Sequence, residues 1–289
     1  MQTIKQYFEP FMAQIDGQLS YVHVAITEPE NPAKSMFMFH DLAGRSDDFA
    51  PIAAQLALLG YRVVMVDLPG RGRSAWLEQE GYTLQMYVDV FLPLINTHGL
   101  PRNYALGQGW GAMIALLFES VIARPFAHMY LFDLPAQWSF DSDFLAQKWA
   151  AIASIRAPTA EDFYHLVDKD LPTELTGRDS FLELVQERLR FIDGQFCLSL
   201  DPALFRNLQK TRDRVYDLNN ALMKSSCPVW LLNSTQKRPE LRSTVLHDPD
   251  KKIRETNILS ASNTSWKSDD ILLPAVGAIL IGERSTQNT

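Results

Sequence analysis

NYALGQGWGAMIALLFESVIA, residues 103–123, packs a short apolar run, a glycine-rich turn and an apolar helix-length segment into one stretch. The run at 103–106 reads as a buried strand, Gly107–Gly111 as a tight turn, and Ala112–Ala123 as the helix that follows. The same rhythm extends on both sides. Upstream, 61–67 (YRVVMVD) reads as a strand entering the turn-rich segment DLPGRGRS, and Asp47–Leu59 carries apolar residues at helical spacing before Gly60. Residues 35–39 (SMFMF) read as another buried strand and 20–26 (SYVHVAI) as an alternating one. Thr83–Thr97 reads as a helix closed by Gly99-Leu100-Pro101. Downstream, 128–132 (HMYLF) is a strand ending at Asp133. Strands alternating with helices over short connections specify an α/β fold, a mostly parallel central sheet flanked by helices on both faces.

The rhythm breaks after Pro135. Residues 137–222 are rich in charge and aromatics and show no buried-strand pattern, so they are expected to form a helical cap. Strand patterns return at 228–232 (PVWLL) and 254–259 (RETNIL), followed by a helix from about Ser268. The predicted organisation is a core built from residues 1–136 and 223–289 with the cap, 137–222, inserted between two strands.

Composition narrows the function classes. With 289 residues and 46% hydrophobic content, the chain can bury a large core. A net charge of −7 with scattered Lys and Arg argues against nucleic acid or an anionic membrane as the main partner. The start, Met1-Gln2-Thr3-Ile4-Lys5, lacks the apolar region of a signal peptide, and Ile271–Gly282 is too short to span a bilayer, so a cytoplasmic location is expected. Cys197 and Cys227 have no metal-ligand spacing and read as reduced, partly buried thiols. Gly70-Arg71-Gly72 lacks the third glycine of a dinucleotide fingerprint, and neither a cofactor nor a metal is expected.

Four stretches in order resemble the α/β-hydrolase superfamily, in particular its capped esterases, epoxide hydrolases and C–C bond hydrolases. His40–Ser46 is similar to the oxyanion loop, and Asp67–Ser74 looks like the D-x-x-G-x-G-x-S loop. Gly107–Gly111 stands at the nucleophile elbow, and Ser226–Leu232 resembles the strand that re-enters the sheet after the cap. The resemblance implies a Ser-His-Asp triad, and at each of its three positions this sequence departs from it. The nucleophile position is Gly109, the acid position falls on Gln236 or Lys237, and Asn263 stands in place of the histidine. A glycine offers no attacking oxygen, and without an imidazole no group shuttles the proton in the family's way. The expectation is a degenerate member, a pseudo-hydrolase.

Other side chains could supply different chemistry. His40 reads as the structural histidine of the oxyanion loop, with an acid/base role as the alternative. Asp133, at the end of a strand, reads as a solvated carboxylate or an alternative acid. Asp41 replaces the family's glycine. It either makes local hydrogen bonds or turns its carboxylate to the pocket, and both disfavour an oxyanion. His128, His165 and His247 read as surface or packing residues, His128 at the far edge of the sheet. The N–H groups of Trp110 and Leu42 are expected to face the former oxyanion site unless Asp41 or Gln108 fills it. Leu42, Gln108, Trp110 and Trp138 are the expected ligand contacts; the alternative is that the cap aromatics simply pack cap on core. Three functions stay open: a binder of a small apolar ligand or a protein partner, an enzyme with non-covalent general-base chemistry, and a scaffold with a filled pocket. A homodimer is compatible with the aromatic-rich cap.

Overall fold

The computed structural model describes residues 3–77, 81–171, 178–233 and 253–257. Strand β1 (Ile4–Ile15) and strand β2 (Gln18–Pro29) form a long antiparallel hairpin, followed by β3 (Lys34–Phe39), a 3-10 turn at Ser46–Phe49 and helix α1 (Ala50–Leu58). Then come β4 (Tyr61–Val66), α2 (Leu84–His98), β5 (Asn103–Gln108), α3 (Trp110–Val121) and β6 (His128–Phe132). The segment after β6 holds β7 (Gln137–Trp138), α4 (Phe144–Ala153), α5 (Ala160–Asp170), α6 (Arg178–Glu187), β8 (Leu189–Ile192), β9 (Gln195–Leu198), α7 (Pro202–Lys210), β10 (Tyr216–Asp217) and α8 (Leu218–Met223). Strands β11 (Val229–Asn233) and β12 (Ile253–Asn257) complete the described chain.

Eight strands join in the order β1-β2-β4-β3-β5-β6-β11-β12. From β4 to β12 every neighbouring pair is parallel, whereas β1, β2 and β4 pair antiparallel. The apolar runs follow from burial on both faces, since successive side chains point to opposite sides. Phe37, Phe39, Val64, Val66, Ala105 and Leu131 pack on the side of α2 and α3. Their neighbours Met36, Met38, Val63, Met65, Leu106 and Tyr130 pack on the side of α1. Helix α2 starts where Thr83 accepts from the Met86 N–H, the kind of cap that contributes about 1 kcal/mol.

Strand β1 escapes the strand rules because Pro10 interrupts its run, and Pro is tolerated there because β1 lies on the edge of the sheet. Two expectations need correction. First, the inserted segment is not purely helical: β8 and β9 pair antiparallel, and β7 pairs with β10. Second, His128 is buried inside β6, between β5 and β11, and stacks on Tyr104 and Tyr130 rather than lying at an edge. Cys197 and Cys227 are both buried, and neither is in a disulfide among the described residues. No helix among the described residues is long and apolar enough to cross a membrane. His247 and the helix expected from Ser268 lie outside the described residues.

Candidate functional site

The turn between β5 and α3 has the geometry of a strand-to-helix elbow. Gly109 sits at its apex with φ 49° and ψ −109°, a conformation that strains an L residue by ~1–3 kcal/mol and that glycine adopts freely. Its N–H donates to the Phe132 carbonyl at 2.9 Å, so the apex is tied to the end of β6. Gly111 is demanded by a different constraint: a Cβ there would run into the Phe39 backbone, so glycine lets α3 press against the end of β3.

Asp41 closes over this apex. Its Oδ1 accepts from the N–H of Leu42 and from the N–H of Trp110, both at 2.8 Å. The two donors expected to face an open oxyanion site are therefore engaged by a carboxylate of the chain itself. A Cβ on Gly109 would overlap that carboxylate. Oδ2 accepts from no group among the described residues, and Asp41 keeps a partly open edge on the adjoining cavity. The two readings of Asp41 thus merge into one geometry: one oxygen bonds locally and the residue still faces the pocket. Burial pushes the carboxyl up to about 6. The two backbone hydrogen bonds act against that rise, and the nearby charges of Asp143 and Asp133 act with it.

His40 is fully buried behind this site. Its Nδ1 lies 2.7 Å from the Asp41 carbonyl and its Nε2 accepts from the Leu68 N–H at 2.9 Å. A carbonyl can only accept and an N–H only donate, so the ring is the neutral Nδ1–H tautomer with both nitrogens committed. Burial holds it down at about 3. With both nitrogens engaged, the geometry favours the structural reading of His40 over the acid/base alternative. The histidine pins the loop after β3 to the turn after β4.

That second turn is built around Asp67, whose carboxylate accepts from the Ser46 N–H at 2.5 Å and the Arg73 N–H at 2.8 Å. Arg71 of the same turn is fully buried, donating to the carbonyls of Leu42 and Pro69 and to the Tyr87 hydroxyl.

A cavity of about 540 Å³ opens above the elbow. The expected contacts Leu42, Gln108, Trp110 and Trp138 all line it, together with Gly109, Asp41 and Asp133. Trp110 and Trp138 meet edge to face with ring centroids 4.8 Å apart. Asp133 follows β6 at φ 50°, and its N–H donates to the Leu232 carbonyl. The far wall comes from α4, with Phe144 and Trp149, and from Asp143. Asp143 was not singled out from sequence. It caps α4 through the Ala146 N–H at 2.9 Å and accepts from Trp138 Nε1 at 2.8 Å, which orients that indole. Its signal was an Asp directly before the apolar helix start Phe144-Leu145-Ala146. Three carboxylates and four aromatic rings line this cavity, and no Lys, Arg or His among the described residues does. Gln236, Lys237 and Asn263 lie outside the described residues. No cluster of His, Cys, Asp or Glu suited to a metal ion occurs among the described residues.

Residues 34–158 match the family described as alpha/beta hydrolase fold. Over 109 residues the chain is 32% identical to 3-hydroxybutyrate-oligomer hydrolase of Cupriavidus necator, an overlap covering 37% of this chain and 36% of that protein. It is 26% identical over 123 residues to epoxide hydrolase B of Mycobacterium tuberculosis, covering 39% of this chain and 35% of the relative. The matched region thus spans only about a third of these curated relatives. Among solved structures, an alpha/beta hydrolase from Novosphingobium aromaticivorans superposes with a TM-score of 0.67 at 16% identity, covering 94% of this chain and 98% of the other. At that identity the likeness speaks for the fold alone.

Proposed function

We propose that the chain is a member of the α/β-hydrolase superfamily without acyl-transfer chemistry, whose cavity above the elbow binds a small molecule. One observation carries this reading: Asp41 Oδ1 accepts the Leu42 and Trp110 N–H groups, the donors an oxyanion would need. A carboxylate in that place opposes a developing oxyanion by ~4 kcal/mol at ~4 Å with an effective dielectric near 20. Gly109 adds no oxygen of its own, and Gln236 or Lys237 and Asn263 at the remaining triad positions agree with it. The cavity was expected to favour an apolar ligand; its aromatic walls support that, while Asp41, Asp133 and Asp143 add hydrogen-bond acceptors and disfavour an anion. A panel of p-nitrophenyl esters and lactones should show no turnover above buffer. A metabolite library should contain a compound that raises the melting temperature, and Ala146→Trp, which fills the cavity, should abolish the rise. A covalent acyl adduct on the protein would defeat the reading. If no metabolite moves the melting temperature, a protein partner becomes the better reading.

A second reading, non-covalent general-base chemistry, is favoured by Asp41 itself: its carboxyl, pushed up to about 6, faces the cavity with one oxygen that accepts from no group among the described residues. Turnover of esters or lactones that disappears in both Asp133→Asn and Asp41→Asn would establish it in place of the first.

A further inference from the structure

Two carboxylates on the wall of the cavity above the elbow are hydrogen-bonded without being neutralised. Asp41 accepts from the N–H groups of Leu42 and Trp110, and Asp143 from the Ala146 N–H and the Trp138 indole N–H. All four donors are uncharged, and among the described residues neither carboxylate forms an ion pair. A neutral donor stabilises a carboxylate but leaves its charge in place. Rings complete the setting. Trp138 and Trp149 line the same cavity, and no cation among the described residues lies over either of them. Neighbouring rings show what such faces attract: the Arg71 guanidinium lies 6.0 Å from the centre of the Trp110 ring, and Lys148 Nζ lies 5.2 Å from that of Phe144. Neither of these cations lines the cavity. A second cavity, of about 300 Å³, lies between α3 and α7 and differs in charge. No carboxylate among the described residues lines it, so it offers a cation nothing to pair with.

We infer that the cavity above the elbow binds an organic ammonium ion, its nitrogen at Asp41 Oδ2 in the field of Asp143 and its apolar body against Trp138 and Trp149. The inference rests on the reading of this cavity as a small-molecule site and adds the charge of the ligand. An ammonium N–H supplies the donor that Oδ2 does not find among the described residues, in a charge-assisted hydrogen bond. The face of an indole attracts the same charge. Burial raises the Asp41 carboxyl, and the negative charges of Asp143 and Asp133 press it further in that direction. A cation relieves that pressure, a neutral ligand leaves it and an anion adds to it.

Isothermal titration calorimetry at pH 8, where Asp41 is ionised and a primary amine is protonated, tests this with three probes of nearly one shape: 2-phenylethylammonium, 2-phenylethanol and phenylacetate. The ammonium should bind about tenfold tighter than the alcohol or better, and phenylacetate more weakly than both. Asp41→Asn keeps an acceptor for both N–H groups and should erase most of that preference while the alcohol still binds. Asp143→Asn should reduce it by about two- to threefold. Ala146→Trp and, separately, Leu145→Trp at a half-exposed position should each block the ammonium, with circular dichroism confirming a folded chain. Leu117→Trp, in the second cavity, should leave its binding as it was. Equal affinity for the ammonium and the alcohol would overturn the inference, as would tighter binding of phenylacetate or absence of saturable ammonium binding. A preference that survives both Asp41→Asn and Asp143→Asn would overturn it too. So would loss of ammonium binding in Leu117→Trp but in neither variant above the elbow, by placing the ligand between α3 and α7. The small-molecule reading fails by a different result, the absence of any metabolite that raises the melting temperature.

Discussion

Asp41, in the turn after β3, and Asp67, in the turn after β4, each gather backbone N–H groups from two separate segments with one carboxylate. Asp67 spends both oxygens on this, Oδ1 on Ser46 and Oδ2 on Arg73, and is fully buried. Asp41 takes both of its donors, Leu42 and Trp110, on a single oxygen and keeps the other at a cavity wall. Their local chemistry is alike, yet one carboxylate is a closed fastening and the other has capacity left over. The role of a loop carboxylate is therefore decided by what its second oxygen meets. His40 connects the two turns, accepting from Leu68 and donating to the Asp41 carbonyl.

The contrast can be broken most forcefully at Asp67. Asp67→Ala leaves the N–H groups of Ser46 and Arg73 without their acceptor and should destabilise the protein by about 3–5 kcal/mol in urea unfolding. If the loss stays below ~1 kcal/mol, the closed-fastening view of Asp67 is wrong. Next comes the elbow. Gly109→Ser places a Cβ against the Asp41 carboxylate at positive φ, for an expected cost of about 2–3 kcal/mol and no gain in esterase activity. Adding Asp41→Gly should recover part of that cost, giving a coupling of ~1–2 kcal/mol in a double-mutant cycle; simple additivity would deny the overlap.

Asp41→Asn sharpens the comparison through pH. The folded value of about 6 lies above the ordinary 3.8, so the fold holds this proton more tightly than the unfolded chain does. The resulting stability is present below pH ~4 and is lost as pH rises through ~6. Asn keeps an acceptor for both N–H groups without the charge. It should match the wild type near pH 4 and exceed it by about 1–2 kcal/mol at pH 8, a range discounted for the partly open edge of the site. A constant difference across that range in thermal melts would refute the assignment. The smallest effect belongs to Asp143→Asn. It preserves the α4 cap but removes a like charge, so the midpoint of the Asp41-dependent transition should move to lower pH by a few tenths of a unit. A midpoint that stays put or rises would show that Asp143 does not act on Asp41 through its charge.

Much of this architecture is legible in sequence because both-face burial writes continuous apolar runs, as in SMFMF and HMYLF, and glycines punctuate the turns between them. The two hairpins are less legible, although they share one tetrapeptide. Ile15-Asp16-Gly17-Gln18 and Ile192-Asp193-Gly194-Gln195 both turn on an Asp-Gly pair, with φ of 48° and 79° in the first and 51° and 79° in the second. Asp-Gly with both residues at positive φ suits a tight two-residue hairpin, a signal obscured by Pro10 in one case and by the surrounding helices in the other. At the site, the missing oxygen of Gly109 was readable from one position. The filling of the oxyanion position was not, because it requires Asp41 to meet a backbone N–H 69 residues away. Cavity walls drawn from separate elements, such as Trp149 and Trp110, emerge only once the chain is folded.

Trp110 and Met113 belong to the walls of both cavities, so the two chambers share a partition. The indole of Trp110 is latched to Tyr87 on one side and abuts Trp138 on the other. If an occupant of one chamber displaces that indole, thermodynamic linkage requires the effect to be reciprocal: whatever one occupant does to the affinity of the other, the other does in equal measure to it.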